Sequence, residues 1–218
     1  MQQYKVDFHT HSVASPDGAL TESYYRRMLE QGRLHCIAVT DHNTIEMAER
    51  MQEELGDKII VGEEITTAKG ELVGLYLTKA IPSMLTLAET AKRIHEQGGL
   101  VYVPHPFETV RKGIRLGDLD EIAQDVDIIE IHNGRAVFQN RSAQALAWSR
   151  DHYVPGAASS DAHGIAGWGR TYTVLDRMPT RQNLTTLLRH AEYCTGLPGV
   201  RGVLYPKFNR IRKWRWHA

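Results

Sequence analysis

The sequence has few cysteines and no excess of either charge. Cys36 and Cys194 are its only cysteines, and two thiols supply neither a disulfide framework nor a thiolate zinc site. Lys plus Arg number 26, and Asp plus Glu also number 26, so the formal net charge is zero. A chain without net positive charge is not typical of a globally basic nucleic-acid-binding protein. Neither a disulfide-stapled fold nor a broadly basic nucleic-acid binder is therefore expected.

Long apolar runs are also absent from the sequence. No segment approaches the roughly 18 consecutive apolar residues that a membrane span requires. The start of the chain, MQQYKVDFHTH, lacks the basic and apolar regions of a signal peptide. With so few cysteines, the expected location is cytoplasmic. Hydrophobic residues make up 42% of the 218 positions, which indicates a folded domain rather than a disordered chain.

Short apolar runs alternate with amphipathic segments along most of the chain. The apolar runs predict strands of a parallel sheet, and the segments between them predict helices that cover it. The segments 58–67 and 71–78 are an exception, because a short Ala-Lys-Gly connection would join them as a hairpin. The predicted strands are 4–9, 35–40, 58–67, 71–78, 100–103, 126–131, 154–159 and 171–175. The predicted helices are 21–31, 44–55, 83–97, 116–124, 138–152 and 181–191.

The alternation amounts to about seven strand–helix steps, slightly fewer than the eight of a full (β/α)8 barrel of about 250 residues. No internal repeat or linker divides residues 1–199, which are therefore expected to form one domain. Residues 200–218 differ in composition and are treated as a basic, aromatic tail. Its segment KFNRIRKWRW interleaves basic and aromatic side chains, namely Lys207, Phe208, Arg210, Arg212, Lys213, Trp214, Arg215 and Trp216.

Polar and ionisable side chains follow six of the predicted strands, each at the end where the strand stops. In parallel α/β folds, the carboxyl ends of the strands form the active site. Side chains two residues apart on a strand, such as those of His9 and His11, point to the same face. The set comprises His9, His11, Asp41, His42, Glu63, Glu64, His105, Glu130, His132, Asn133, Asp161 and His163.

This combination of imidazole and carboxylate groups suits zinc, manganese or iron. About nine such groups exceed the three or four ligands of one catalytic zinc ion. Without cations, several carboxylates in one pocket would repel one another. We therefore expect a cluster of two or three divalent ions that share a bridging carboxylate. The other histidines are interpreted as surface or structural residues, namely His35, His95, His152, His190 and His217.

Five segments, in this order, resemble the motif regions of the PHP (polymerase and histidinol phosphatase) superfamily: DFHTHSVASPDG, VTDHN, GEEIT, VPHPF and SSDAH. The resemblance runs from about Val6 to Arg170. It implies a distorted (β/α)7 barrel with a site for two or three metal ions at the carboxyl ends of the strands. It also implies hydrolysis of phosphoesters, and the chain looks most like the small stand-alone phosphoesterases of that family.

The same resemblance implies a set of metal ligands. Glu64, rather than Glu63, matches the bridging carboxylate, and Asp41 matches a partner behind the ligands. One ion would be held by His9, His11, Glu64 and Asp161. A second would be held by Glu64, His105 and one further group, and a third by Asp17, His42 and His163.

One position departs from the family pattern. Many relatives supply a histidine on the strand after the bridging glutamate, whereas this sequence has Glu71 there. Glu71 lies opposite Glu64 across a short hairpin and could reach the second ion, since cross-strand neighbours are close. The alternative is an exposed turn residue.

The expected reaction is hydrolysis of a phosphate ester by a metal-activated hydroxide. Arg111 and Arg135 are the main candidates for holding phosphate, because a guanidinium donates two parallel hydrogen bonds. Weaker candidates are Lys112, Arg115 and Arg170. His132 is a candidate proton donor, with a structural role as the alternative, and Asn133 could orient substrate or a ligand. The expected substrate is a small phosphometabolite, a nucleotide or the 5′ end of a short oligonucleotide.

Two other functions stay open at this point. An amidohydrolase-type barrel also begins with an HxH pair, but such enzymes often use a bridging lysine where this sequence has Glu64. The second is a metal-binding module without enzymatic activity. The tail is compatible with weak nucleic-acid contact, with an anionic membrane surface, or with a terminus packed over the barrel.

Overall fold

A computed structural model describes the backbone of residues 2–216 and the side chains of residues 2–213. His217 and the side chains of Trp214, Arg215 and Trp216, discussed above, lie outside the described part. The strands are β1 Tyr4–Asp7, β2 Cys36–His42, β3 Ile59–Thr67, β4 Gly70–Leu75, β5 Leu100–Val103, β6 Ile128–Asn133, β7 Gly156–Ser159, β8 Tyr172–Leu175 and β9 Glu192–Cys194. The helices are α1 Glu22–Glu30, α2 Glu46–Leu55, α3 Leu87–Glu96, α4 Leu116–Glu121, α5 Ser142–Asp151, α6 Leu184–Leu188 and α7 Gly199–Trp216.

All of these strands belong to one sheet, in the order β7-β6-β5-β4-β3-β2-β1-β8-β9. β1, β2 and β3 pair in parallel, and so do β5, β6 and β7, which confirms the parallel pairing expected there. β3 and β4 form the expected antiparallel hairpin, so β4 also runs against β5. β8 and β9 extend the sheet beyond β1 with antiparallel pairing, and β9 was not anticipated from the sequence.

The sheet curls until the chain after β1 meets the chain after β7. Thr10 and Ala162 form a parallel bridge there, and the backbone N–H of His11 donates to the carbonyl of Ala162 at 2.9 Å. The fold is therefore a nearly closed, distorted α/β barrel, as predicted. Both ligand-bearing segments lie at this closing seam.

Both faces of the strands are buried, which explains why the apolar runs are continuous. On β2, Ile37 and Val39 pack under the helices, whereas Cys36 and Ala38 belong to a second cluster on the other face. His42 lies on the same face of β2 as Ala38, four positions further along the strand. The apolar interior therefore forms the floor beneath the polar end of the barrel.

Several helices are shorter than predicted. α3 begins at Leu87 rather than near residue 83, because Met84 has a positive φ of 64° and the side chain of Thr86 caps the helix. α5 begins at Ser142, after an exposed turn, and α6 spans only Leu184–Leu188. The segment that was treated as a tail forms helix α7. Within the described residues, no helix combines the length and apolar character needed to span a membrane.

Candidate metal centre

The nine side chains that the sequence suggests as ligands meet at the carboxyl ends of the strands. They form four overlapping groups, and within each group the ligand atoms lie within 4.8 Å of one another. All nine side chains are buried except His42, which is 17% exposed. The groups are His11–Asp17–His42–His163, His9–His11–Asp161, His9–Glu64–His105 and His42–Glu64–Glu71.

The carboxylate of Glu64 lies at the middle of these groups. Its Oε2 is 3.2 Å from Nε2 of His11 and 3.2 Å from Nδ1 of His42. Its Oε1 is 3.0 Å from Nε2 of His105. Burial alone would raise the pKa of Glu64, but the neighbouring imidazoles, led by His42 and His9, hold that pKa well below its usual range. A carboxylate with different ring nitrogens on its two oxygens has the geometry of a bridging ligand.

Backbone conformation turns two of the ligand side chains inward. His105 has a φ of 30° and Asp161 a φ of 50°, values that L-residues rarely adopt. Each follows the end of a strand, β5 and β7 respectively. Such strain is typical of functional sites, where the surrounding structure holds the conformation.

The hydrogen bonds of His9 and His11 fix which ring nitrogen carries the proton. Nδ1 of His9 is 3.3 Å from the carboxylate of Glu130, which can only accept when ionised. Nδ1 of His11 is 3.1 Å from Oγ of Ser15, whose own hydrogen is donated to Asp41 at 2.7 Å. Both rings are therefore assigned an Nδ1–H, which leaves each Nε2 facing the cluster. Burial opposes the charged form, but the carboxylates of Asp161 and Glu64 raise the pKa of both rings, so each Nε2 attracts a proton or, in its place, a cation.

Those two Nε2 atoms lie only 3.1 Å apart. Two lone pairs at that distance repel one another unless a proton or a cation lies between or beside them. Oδ1 of Asp17 and Nδ1 of His105 are also buried, and neither has a hydrogen-bond partner among the described residues. Burial, with the charges of His11 and Arg135, lowers the pKa of His163 to about 3, which keeps its ring in the neutral form that binds metals. The donor set therefore fits divalent cations.

A family model described as PHP-associated matches residues 139–193. Two uncharacterized proteins of Methanocaldococcus jannaschii are similar in sequence. One is 34% identical over 144 residues, covering 59% of this chain and 81% of the relative. The other is 32% identical over 177 residues, covering 77% of this chain and 69% of the relative.

Solved structures share the fold. A two-domain protein from Bacteroides vulgatus that contains a predicted PHP-like metal-dependent phosphoesterase matches with a TM-score of 0.70 at 20% identity, covering 96% of this chain and 70% of that one. The chain belongs to the PHP superfamily. An amidohydrolase from Chromobacterium violaceum, solved with bound sulfate and no metal, matches this PHP barrel more distantly, with a TM-score of 0.55 at 15% identity over 72% of this chain and 87% of that one.

Both arginines suggested for phosphate binding lie beside Asp161 in the PHP barrel. Nη1 of Arg111 is 2.5 Å and Nη1 of Arg135 is 3.2 Å from Oδ2 of Asp161. The other nitrogens of Arg111 bond the carboxylate of Glu108, while Nε of Arg135 is buried and has no hydrogen-bond partner in the described part of the chain. Arg135 therefore has donor capacity left, whereas Arg111 is largely committed.

His132 is not brought into the cluster. The pairing of β6 with β7 shifts register between Glu130 and His132, and the ring of His132 lies 6.1 Å from that of Tyr193. It shares none of the four ligand groups. Its suggested role as a proton donor stays a prediction, and its surroundings favour the structural alternative.

The weaker candidates have separate positions. Nζ of Lys112 is 3.4 Å from Glu71, and Arg170 donates to the carbonyl of Leu197. Arg115 precedes α4 and is exposed. Asn133 accepts from Arg111 at 2.6 Å and donates to Glu130 at 2.7 Å, so it orients the residues around the cluster.

Sequence reasoning listed Glu130 among the strand-end residues without a specific role, and it left three roles open for the tail that forms α7. Glu130 stands at a strand end, but its contact with His9 joins residues that are 121 positions apart. Asp41, suggested as a partner behind the ligands, accepts hydrogen bonds from Ser12 and Ser15, and Ser15 in turn contacts His11. The segment from Ser12 to Gly18 folds so tightly that a Cβ at Gly18 would come within 2.0 Å of the Ser12 carbonyl oxygen.

Proposed function

We propose that this protein is a metal-dependent hydrolase of phosphate esters. The observation that carries the proposal is the pair of ring nitrogens on His9 and His11, 3.1 Å apart, with both Nδ1 atoms committed elsewhere. Buried carboxylates surround this pair, so the site combines neutral nitrogen ligands with negative oxygen ligands. When bound, divalent cations would stabilise charge on phosphoryl oxygens and lower the pKa of water.

The distances between ligand atoms assign residues to ions. Nδ1 of His9 and Nδ1 of His11 are committed elsewhere, so each ring can bind one ion through Nε2. His9, His11, Glu64 and Asp161 would hold one ion, since Nε2 of His11 is 3.2 Å from Glu64 and 3.4 Å from Asp161. Glu64 and His105 would contribute to a second, and Asp17, His42 and His163 would hold a third. These distances support the grouping expected from the family resemblance.

Glu71 would complete the coordination of the second ion. Its carboxylate oxygens lie 3.9 Å from His105 Nε2 and 3.9 Å from His42 Nδ1. Burial and the charge of Glu64 raise the pKa of Glu71. A cation between Glu64 and Glu71 would remove that repulsion, which supports Glu71 as a ligand rather than a turn residue.

Positive side chains beside the ligands favour a phosphate ester over an amide. Nη1 of Arg135 contacts Asp161, and its buried Nε has no hydrogen-bond partner among the described residues, so this guanidinium has a donor left for a phosphoryl oxygen. The carboxylate of Glu64 occupies the position where amidohydrolase-type enzymes often use a lysine. Small phosphate esters, nucleotides and short oligonucleotides all present the group that this chemistry requires.

The test compares phosphomonoesters, phosphodiesters and amides as substrates for the Mn²⁺-loaded and chelator-treated protein. We expect phosphate-ester hydrolysis that requires the metal, and a loss of about 100-fold or more in kcat/KM for Asp161→Asn and His9→Ala. His190→Ala changes an exposed histidine remote from the ligand set and should behave as the wild type. Full activity after chelation, or cleavage of amides alone, would contradict the proposal.

A further inference from the structure

Helix α7 lies against the segment that carries Asp17. Three side chains near its carboxyl end, Asn209, Arg210 and Lys213, all bond residues between Val13 and Asp17. Nζ of Lys213 donates to the carbonyls of Val13, at 2.7 Å, and of Ser15. The helix is therefore attached to one edge of the ligand cluster by several side chains at once.

Asn209 joins two ligand-bearing segments. Its Nδ2 donates to the carbonyl of Asp17 at 2.7 Å and to the carbonyl of His163 at 3.1 Å. An amide nitrogen has two hydrogens, so both are used. Asn209 is 4% exposed, which protects these bonds from competition by water. The chain after β1 and the chain after β7 are thus held at a fixed separation by one buried side chain.

Arg210 determines which oxygen of Asp17 faces the cluster. Nη2 of Arg210 is 2.7 Å from Oδ2 of Asp17. Oδ1 then faces Nε2 of His42 at 3.6 Å and Nε2 of His163 at 3.5 Å. That oxygen is buried and has no hydrogen-bond partner in the described residues, as expected for an atom reserved for a cation.

We propose that helix α7 supports one metal subsite, the one formed by Asp17, His42 and His163. Asn209, Arg210 and Lys213 are positioning residues that hold Asp17 and His163 for a divalent cation. The inference rests on the proposed metal centre and adds to it a dependence of one ion on the last helix. Residues behind the ligands of a metal commonly change its affinity by 10- to 100-fold.

The positive charge of α7 allows a positioning role to be distinguished from a purely electrostatic effect on cation binding. Between Gly199 and Trp216 the sequence contains Lys and Arg but no Asp or Glu. Removing a positive charge near a cation site strengthens cation binding on Coulombic grounds alone. If Arg210 and Lys213 act as positioning residues, their removal weakens binding instead. The two explanations predict changes of opposite sign.

The experiment measures Mn²⁺ binding to the full chain by titration and by elemental analysis after dialysis. We expect Asn209→Leu, Arg210→Leu and Lys213→Leu each to weaken the binding of one Mn²⁺ ion by about 10- to 100-fold. The affinities of the other ions should stay unchanged. Arg212→Leu is the matched control, because Arg212 is exposed on the same helix and carries the same charge. Arg210→Lys keeps a cationic donor and should recover most of the loss.

Hydrogen exchange of residues 12–18 provides a readout that is independent of activity. Mn²⁺ should slow exchange there in the wild type and in Arg212→Leu, but not in Asn209→Leu. Wild-type affinity in all three positioning variants, or tighter binding in Arg210→Leu, would overturn the inference and leave the metal centre intact. If Asn209→Leu fails to fold, Arg210→Leu and Lys213→Leu decide the question. A wild-type protein that binds no Mn²⁺ would instead remove the proposed function.

Discussion

At the scale of single residues, the ligands are oriented by hydrogen bonds made behind them. The carboxylate of Glu130 accepts from Nδ1 of His9, from the hydroxyl of Tyr102 at 2.9 Å and from the backbone N–H of His105 at 2.6 Å. One buried acid therefore fixes the tautomer of one ligand and the backbone of another. A carboxylate behind a metal-bound histidine also raises the basicity of the ring.

Glu130→Gln should therefore weaken metal binding although Glu130 is not itself expected to be a ligand. Glutamine keeps the volume but supplies only one carbonyl acceptor for four donors, the fourth being the side chain of Asn133, so His9 loses its fixed tautomer. We expect about 10- to 100-fold weaker Mn²⁺ binding, measured by titration. Glu63→Gln is the matched control, because Glu63 is equally buried on β3 but accepts from the backbone N–H of Ile81. Equal effects of both substitutions would contradict the specific role of Glu130.

The clustering of the suggested ligands could be predicted because most of them lie at or just beyond strand ends. His9 with His11, and Asp161 with His163, also have the spacing that directs both side chains to one face, whereas Asp17 was suggested by the family resemblance. Glu130 and Asn209 could not be assigned in this way, because their partners are 121 and 192 positions away in the sequence. Their roles depend on how the barrel closes, which local patterns do not encode.

At the scale of secondary-structure elements, a single cap decided where α3 begins. The helix predicted over 83–97 would start at Ser83, a residue type that often caps helices. The chain instead makes a turn with Met84 at positive φ, and the side chain of Thr86 accepts from the backbone N–H of Glu89. Eight of the nine described strands were predictable from the apolar runs, whereas such boundaries depend on the conformation of one or two residues. Residues 200–218 were treated as a tail because of their basic, aromatic composition, which does not exclude the observed helix α7.

Thr86→Ala tests the observed cap. The backbone N–H of Glu89 loses its acceptor, so we expect the free energy of unfolding to fall by about 1 kcal/mol, measured by denaturant titration. Ser83→Ala removes the cap suggested by sequence, and it should leave stability unchanged because Ser83 is exposed outside the helix. The reverse ranking of the two variants would mean that α3 begins earlier than the structure has it.

At the scale of the whole molecule, the function depends on closing the barrel between β1 and β7. Asp7, at the end of β1, accepts from the backbone N–H of Ser160 at 2.9 Å, from its hydroxyl at 2.5 Å and from Nε1 of Trp168 at 3.0 Å. These contacts join residues more than 150 positions apart in the sequence. The same seam sets the spacing between His9 and Asp161, so barrel closure and the geometry of the site depend on the same contacts.

Ser160→Ala should loosen this seam. The buried carboxylate of Asp7 loses one donor, and a lost hydrogen bond to a charged group costs about 2 kcal/mol of unfolding free energy. Burial raises the pKa of Asp7 to about 6, and the hydrogen bonds from Ser160 oppose that rise, so the variant should hold its proton to a still higher pH. Because the folded state then binds more protons than the unfolded state, the stability deficit should grow from pH 5 to pH 8. Denaturant titrations of wild type, Ser160→Ala and the exposed control Ser83→Ala measure this stability deficit. A deficit that shrinks from pH 5 to pH 8 would refute the role of Ser160 in holding the ionised carboxylate.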